Sequence, residues 1–314
     1  MIIEQFVAFA VVRPIVVRFI ARLDVNEDRK VMGVTMLRRE ICVLCQNDSS
    51  SPHAIRVFQN RNPFHLNAKI DIGLVKDPED IGSSDEQNCF FVFDSEEKCV
   101  WKIARQTGDY QKFLDLQSAH FSLPAALSVS CDGRELQIVT LRSLGICGAF
   151  GPKGAAQKTL LIVQLPSGIE KPLHAVETSS GHFVVLHSLV KDDNENAGST
   201  KKRKKKDFVV SKVSRDGRLV VRRFVPQQKS HELNNPRYLA LGSDDRVFVA
   251  DEWNDRVVLL DSDLNWIRIL CPTEDEAKRT IAPHRLCYDK VEGQLIVAGL
   301  DTREGVEVYS IDRE

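Results

Sequence analysis

Histidine, arginine and aromatic residues follow the prolines of a repeated sequence phrase, where they could serve acid–base chemistry or binding. His174 and His284 lie at matching positions just after two of these prolines, and Arg237 and Tyr238 follow a third. Histidine titrates near neutral pH, which makes it the commonest general acid or base. A repeat also produces such placement without any catalytic role, so both interpretations stay open.

Sequence signatures of common enzyme classes are absent. The chain has no Gly-x-Ser-x-Gly, no His-Glu-x-x-His and no glycine-rich phosphate loop. Cys42 and Cys45 have metal-ligand spacing, but residues three apart on a strand point to opposite faces, and no second such pair exists. We therefore expect no catalytic residue, no metal, no cofactor and no small-molecule substrate.

The repeated phrase is clearest from residue 235 to residue 261. It reads Asn-Pro-Arg-Tyr-Leu-Ala-Leu, a polar turn, Val-Phe-Val-Ala-Asp, the turn Glu-Trp-Asn-Asp, and Arg-Val-Val-Leu-Leu-Asp. A looser copy runs from 282 to 311. Short apolar strands with alternating polarity and turn residues between them are typical of an antiparallel sheet.

Five copies carry a proline at the entry to their first strand, at positions 78, 124, 172, 236 and 283, so the steps are 46, 48, 64 and 47 residues. The long step contains the polar segment 191–207, which cannot bury a core and which we expect to be a disordered basic insertion. A sixth copy without the proline has strands at 30–34, 41–44 and 54–58. A repeat of about 47 residues holds four strands, which predicts an all-β fold: a six-bladed β-propeller of four-stranded antiparallel blades.

The last copy leaves no residues for a fourth strand, and its sheet would have an unpaired edge. The segment 16–23 alternates in polarity like a strand, so we predict that this N-terminal strand closes the ring. The domains are then an N-terminal extension, 1–15, and the propeller, 16–314. A targeting segment is the alternative, but the apolar run 6–12 is too short to span a membrane, and Glu4 without a basic leader disfavours a secretory signal.

The segment 235–257, with Asn-Pro-x-x-Leu-Ala, Val-x-Val-Ala-Asp and x-x-Asn-x-Arg-Val, resembles the NHL repeat, the blade unit of six-bladed propellers. The likeness is fair over 77–103 and 282–311, whereas the units at Pro124 and Pro172 lack the Asp-x-x-Asn-x-Arg part. NHL propellers of the tripartite-motif and Brat-like class bind protein partners or single-stranded RNA on one face. The resemblance implies a binding module, such as the substrate-recognition part of a ubiquitin-ligase-like system. Some six-bladed propellers are metal-dependent hydrolases or lyases, which is a third reading.

In a propeller, the loops into the first strands share a face with the turns between second and third strands. We expect this face to bind the partner and to carry His174, Asn235, Arg237, Tyr238, Trp253, Asn254, His284, Arg285 and Arg303. Asp251 and Arg256 bracket one of these turns and are expected to fix it by an ion pair. A protein partner is favoured over RNA, because aromatic residues make up only 7% of the chain and acidic residues share the face.

The strongest charge feature is the run Lys201, Lys202, Arg203, Lys204, Lys205 and Lys206, which is a candidate localisation signal, a phosphate-contacting arm or a passive loop. The net charge of −1 predicts no general attraction to nucleic acid or membrane. Most of the eight cysteines lie in apolar strand segments, which favours a reducing compartment. We expect a cytoplasmic protein, with the nucleus as the alternative.

Overall fold

The computed structural model describes residues 15–25, 30–47, 51–117, 124–130, 132–140, 143–148, 159–189, 207–271, 282–299 and 305–313. These residues form six four-stranded antiparallel sheets, which confirms the predicted six-bladed propeller. The predicted segment 191–207 lies outside the described residues except for Asp207, which begins a strand. Arg303 and the run Lys201 to Lys206 also lie outside them.

Strands within each blade follow one another in chain order from the propeller axis outward, apart from the blade that closes the ring. Blade 1 contains β2 (Lys30–Leu37), β3 (Glu40–Gln46), β4 (Ala54–Gln59) and β5 (Leu66–Asp71). Blade 2 contains β6 (Pro78–Ser84), β7 (Cys89–Asp94), β8 (Cys99–Ala104) and β9 (Tyr110–Asp115). Blade 3 contains β10 (Pro124–Val129), β11 (Glu135–Thr140), β12 (Ser143–Gly148) and β13 (Thr159–Gln164).

The other three blades repeat this order. Blade 4 contains β14 (Glu170–Glu177), β15 (Phe183–Leu189), β16 (Asp207–Val213) and β17 (Val220–Arg223). Blade 5 contains β18 (Pro236–Leu241), β19 (Val247–Asp251), β20 (Arg256–Leu260) and β21 (Trp266–Cys271). Blade 6 contains β22 (Pro283–Asp289), β23 (Gln294–Gly299), β24 (Val306–Arg313) and, as its outer strand, β1 (Ile15–Leu23).

The pairing of β1 with β24 confirms the predicted closure of the ring. The two strands are antiparallel from Ile15 opposite Arg313 to Leu23 opposite Val306. The rings of Phe19 and Tyr309 meet edge to face at 5.7 Å across this pair. The strand from the start of the chain thus removes the exposed edge that blade 6 would otherwise have.

Hydrophobic clusters fill the boundaries between neighbouring blades. One cluster joins Leu23 and Val306 of blade 6 to Val31 and Val43 of blade 1, and corresponding clusters lie at the other five boundaries. Alternate side chains of a strand point to opposite sheet faces, so each blade contributes to two clusters. Cys42 and Cys45 accordingly belong to different clusters, as their spacing predicted.

Two faces of the ring follow from this connectivity. The entry face carries the loops that lead into the first strands and the turns between second and third strands. The opposite face carries the turns between first and second strands and between third and fourth strands. The described residues contain two short 3-10 turns, η1 (Lys229–His231) and η2 (Glu252–Asn254), and no helix with the length and apolar character needed to cross a membrane.

Removing part of the β1 packing tests the closure. Leu23 is 2% exposed, so Leu23→Ala should lower the free energy of unfolding by about 2–5 kcal/mol in urea denaturation. Leu219→Ala is the matched control, because Leu219 is 66% exposed and its truncation should change stability by less than about 0.5 kcal/mol. Equal, small effects of both substitutions would show that β1 does not support the ring.

Candidate functional site

The blade prolines produce a recurrent backbone irregularity near the axis. The register of the first strand shifts directly after all five blade prolines, since one extra residue is inserted opposite the second strand. Such a bulge redirects the side chains around it. The residue two positions after each proline therefore occupies an equivalent place in the different blades, and Gly33 takes that place in blade 1.

Four of these equivalent residues meet on the axis and form what we call the axial cluster: Asp80, His174, Tyr238 and Arg285. The Tyr238 hydroxyl lies 3.2 Å from Asp80 Oδ2 and 3.1 Å from the Leu127 carbonyl oxygen. Arg285 Nε lies 3.4 Å from Asp80 Oδ1. The imidazole of His174 stacks on the Tyr238 ring with 3.6 Å between centroids, and the Arg285 guanidinium lies 5.2 Å from the centre of the same ring. One polar cluster thus connects five blades.

Gly33 completes this contact from blade 1. A Cβ at position 33 would lie 2.6 Å from Ile81 Cγ2 and 3.3 Å from Asp80 Oδ1. Real Cβ contacts are almost never that short, so glycine is required for the approach of blade 1 to the axial cluster.

Burial determines the protonation of the cluster. It lowers the pKa of His174 from 6.5 to about 3, and it raises the pKa of Tyr238 well above the usual value. The neutral His174 accepts the Leu239 N–H at Nδ1, with 3.2 Å between the nitrogens. Burial also raises the pKa of Asp80, although Arg285 and the N–H groups of Leu127 and Ile81 oppose this. Most of these groups are hydrogen-bonded to one another or to the backbone of neighbouring blades, although Arg285 Nε has an ion-pair contact and no hydrogen bond, and this arrangement suits a structural role.

The sequence-based expectation that His174, Tyr238 and Arg285 lie on an exposed face is therefore corrected. Their exposures are 1%, 6% and 7%, and their polar groups contact one another or neighbouring blades. The two histidines are not at matching positions either. His174 belongs to the axial cluster, whereas His284 is the bulge residue one position earlier in its blade. That one-residue difference places the two rings in different environments.

A second polar group lies on the entry face; we call it the rim cluster: Asn235, Arg237, Glu252 and His284. Its centre is Glu252, which is 5% exposed. Glu252 Oε2 accepts Asn235 Nδ2 at 2.6 Å and Arg237 Nε at 2.7 Å, and Oε1 lies 3.4 Å from His284 Nδ1. Sequence analysis did not single out Glu252 from the other acidic residues of this face, because the burial of a turn carboxylate depends on side chains from elsewhere in the chain.

The rim cluster has a definite charge state. Burial opposes ionisation of Glu252, but hydrogen bonds from His284 and Arg237 outweigh it and lower the pKa of the carboxyl. Burial lowers the pKa of His284, despite the hydrogen bond to Glu252. The stable combination near neutral pH is an ionised Glu252 beside a neutral His284 and a charged Arg237.

The turn that carries Glu252 is held by a buried carboxylate. Asp251 Oδ2 accepts Arg256 Nε at 2.7 Å and Asn254 Nδ2 at 2.8 Å, and Oδ1 accepts the Asn234 N–H at 2.7 Å. Arg256 also donates to the Glu232 carbonyl at 2.9 Å. The predicted ion pair between Asp251 and Arg256 is confirmed. Asn254 was expected to bind a partner, but its side-chain Nδ2 donates to Asp251 Oδ2 within the turn and to the Glu232 carbonyl beside it.

Trp253 projects from this fixed turn. Trp253 lies in η2, and its backbone N–H donates to the Asn234 carbonyl at 3.1 Å. The turn ends at Asp255, which has a left-handed backbone. Trp253 is 67% exposed, while Trp101 and Trp266 pack against the hydrophobic clusters of their blades. Of the residues predicted to form the binding face, the structure brings Asn235, Arg237, Trp253 and His284 together there.

The opposite face contains a cavity of about 390 Å³ on the axis. Tyr238 and His174 of the axial cluster contribute to its lining, together with Thr35, Ser83 and Glu177. Sequence analysis gave no sign of this cavity, because its polar groups come from separate blades. No group of three or more histidine, cysteine or acidic side chains among the described residues is arranged to hold a metal ion.

Comparisons with known proteins show a shared fold. No protein-family model matches the chain, and no curated protein matches it. Hydrazine synthase from Kuenenia stuttgartiensis is similar, with a TM-score of 0.58 at 12% identity over 95% of this chain and 99% of that one. A catalytically inactive virginiamycin B lyase from Staphylococcus aureus with quinupristin gives 0.59 at 8% identity, over 95% and 100%. A protein of unknown function from Bacteroides thetaiotaomicron gives 0.61 at 14% identity, over 96% and 76%.

At these identities the likeness supports the six-bladed propeller and no activity. The structural neighbours include lyases and hydrazine synthase and do not single out NHL propellers. The NHL resemblance therefore stays a prediction about this chain.

The axial cluster predicts a pH dependence of stability. His174 is neutral in the folded state down to about pH 3, whereas its unfolded value is 6.5, so the unfolded chain binds the extra proton between these values. The contribution of this group to the free energy of unfolding is fully present above pH 6.5. It decreases as the pH is lowered below 6.5, by at most about 1.4 kcal/mol per pH unit. Urea denaturation at pH 7, 6 and 5 should show a smaller slope for His174→Gln than for the wild type.

Tyr238→Phe is the control for this measurement. It removes the hydroxyl bonded to Asp80 and Leu127 and should cost about 1–3 kcal/mol at each pH, but it keeps His174 buried and should keep the slope. An unchanged slope in His174→Gln would contradict the assignment.

Proposed function

We propose that the chain is a non-enzymatic binding module that recognises a protein partner through its entry face. The observation that carries this proposal is the 67% exposure of Trp253 on a turn fixed by the buried Asp251–Arg256 pair. A large apolar side chain held in water contributes little to folding, whereas it contributes strongly to an interface. Tryptophan and arginine are also the residues enriched at interaction hot spots.

The rim cluster supplies the polar part of this surface. Arg237 is held in one orientation by Glu252, yet 40% of its side chain stays exposed. A guanidinium that is already oriented loses less side-chain entropy when a partner binds. Trp253 and Arg237 together therefore offer an apolar anchor beside an oriented charged donor.

A protein partner fits this surface better than single-stranded RNA, the second candidate. RNA recognition by stacking needs aromatic platforms, and Tyr238 is enclosed in the axial cluster, which leaves Trp253 as the exposed aromatic among the residues predicted for this face. The ionised Glu252 also neutralises Arg237, so the rim cluster lacks the excess positive charge that attracts a phosphate backbone. RNA binding stays as the runner-up because Arg237 is exposed.

Two finer readings rest on resemblance alone. The NHL likeness suggests a substrate-recognition role in a ubiquitin-ligase-like system. A metal-dependent hydrolase or lyase is the third alternative, and the lyases among the structural neighbours keep it under consideration. In that case the cavity on the opposite face is where activity should be sought, because it has a volume of about 390 Å³, in the range of small-ligand sites.

Substitution of Trp253 tests the proposed interface. Trp253→Ala should weaken the binding of a purified partner by about 30-fold or more, the loss expected for a hot-spot tryptophan, with Arg237→Ala acting in the same direction. The partner would first be identified by comparing proteins captured by the wild type with those captured by Trp253→Ala, with and without RNase. Binding would then be measured by calorimetry.

Leu219→Ala is the matched control, since it removes another exposed apolar side chain from the opposite face. Both variants should melt like the wild type, because both side chains are exposed. Identical captured proteins for wild type and Trp253→Ala would contradict the proposal. Loss of the captured partner on RNase treatment would favour the RNA alternative.

A further inference from the structure

The turn between β2 and β3 has an unusual composition for its backbone. Leu37 pairs with Glu40, so Arg38 and Arg39 alone form the two-residue turn. Their φ angles are 48° and 64°, both in the left-handed region. Two-residue hairpin turns of this kind strongly favour Asn-Gly, because side chains with a Cβ are strained there.

The corresponding turns of the other five blades are longer, and each has a single left-handed residue in the part of the chain that the structure describes. Their left-handed residues are Asn88, Gly133, Gly181, Asp245 and Gly293. Among the described residues, blade 1 is therefore the exception. It has two arginines at the left-handed positions of this turn, where the other blades have glycine, asparagine or aspartate. Backbone strain kept at one copy of a repeat suggests that the side chains serve a purpose other than folding.

These arginines share a pocket of about 300 Å³ with a third one. We define the arginine pocket by Arg38, Arg39, Asn60 and Arg61, with Glu40, Gln59 and Glu292 completing its lining. Arg61 belongs to the turn between β4 and β5, and Glu292 to the turn between β22 and β23. The pocket therefore lies on the opposite face, where blade 1 meets blade 6.

The charge of the pocket is not balanced from within. The side chains of Arg38, Arg39 and Arg61 make no ion pair with any described residue, and Asp85 accepts the backbone N–H of Arg38, not its guanidinium. Glu40 is occupied by Arg105, whose Nε and Nη2 each lie 3.0 Å from its carboxylate oxygens. Glu292 is the one remaining carboxylate of the lining against three guanidiniums.

Asn60 adds a buried polar atom to this pocket. It is 8% exposed, and its Nδ2 donates to Asp289 Oδ2 at 2.7 Å, which ties the turn of blade 1 to blade 6. Its Oδ1 is buried and has no hydrogen-bond partner. A ligand that carries a donor group near its anion would satisfy this oxygen.

We infer that the arginine pocket binds a phosphorylated serine or threonine in a peptide segment of a partner protein. A phosphomonoester carries nearly two negative charges and three acceptor oxygens. As a ligand group it therefore matches three guanidinium groups better than a carboxylate, which has one charge and two oxygens. The peptide backbone supplies N–H donors for Asn60 Oδ1. The lining has no aromatic side chain on which a nucleic-acid base could stack, so a peptide is favoured over RNA.

This inference is independent of the proposed function, because the arginine pocket and Trp253 lie on different faces of the ring. A phosphopeptide bound here would attach a second segment of a partner or a different protein. Failure of one site leaves the other intact.

The test uses Arg38→Asn/Arg39→Gly, which removes two guanidiniums and installs the residues that the turn prefers. This variant should be at least as stable as the wild type, so loss of binding cannot be ascribed to unfolding. The probe is a fluorescein-labelled peptide pool with a fixed phosphoserine and randomised flanking positions, measured by fluorescence polarisation. Three other probes are compared with this pool: the unphosphorylated form of the same peptides, inorganic phosphate, and a ten-nucleotide oligouridylate.

The wild type should bind the phosphorylated pool at least about tenfold more tightly than the unphosphorylated pool, and the turn variant should lose about tenfold or more. Arg218→Ala/Arg222→Ala removes the same charge from blade 4 and should leave binding unchanged. Equal affinity of the wild type and the turn variant would overturn the inference. Inorganic phosphate or oligouridylate binding as tightly as the phosphopeptide pool would overturn the assignment of a phosphopeptide.

Discussion

The antiparallel pairing of β1 with β24 is the constraint on which the whole ring depends. The first strand of the chain completes the last sheet, and without it β24 would present an open edge. Within the closed ring, Asp80, Tyr238 and Arg285 come into contact with one another across the axis. The axial cluster thus adds buried polar contacts between the blades to the hydrophobic packing at their boundaries.

A single inserted residue divides the neighbouring side chains of each first strand between two environments. Arg237 and His284 occupy bulge positions and belong to the rim cluster, while Tyr238 and Arg285, one residue later, are buried on the axis. The same local backbone thus provides both the structural centre and the accessible surface. The inserted residue explains why Arg237, with 40% of its side chain exposed, is followed in sequence by Tyr238, which is only 6% exposed.

The sequence was sufficient for the blade count, the closing strand and the Asp251–Arg256 turn, because these follow from periodicity, edge pairing and local turn chemistry. It was insufficient for the side-chain directions near the axis, because proximity to a proline does not distinguish the bulge residue from its successor. Alignment on the prolines would have grouped Asp80 with His174, Tyr238 and Arg285, so the signal for the axial cluster was present. The arginine pocket had no such signal, since Arg39 and Arg61 meet through the packing of two separate turns.

The axial cluster also separates the two faces of the ring. The cluster lies on the axis between the entry face and the cavity of the opposite face. A ligand bound at one of these sites therefore does not reach the other. The opposite face is itself divided by charge: Glu86, Asp132 and Glu177 border the cavity, whereas the three guanidiniums of the arginine pocket lie at the boundary of blades 1 and 6. Glu86 and Glu177 are already paired with Arg134 and Arg215, whereas the three guanidiniums of the arginine pocket have no carboxylate partner among the described residues, so a dianionic group is attracted more strongly to the arginine pocket than to the cavity.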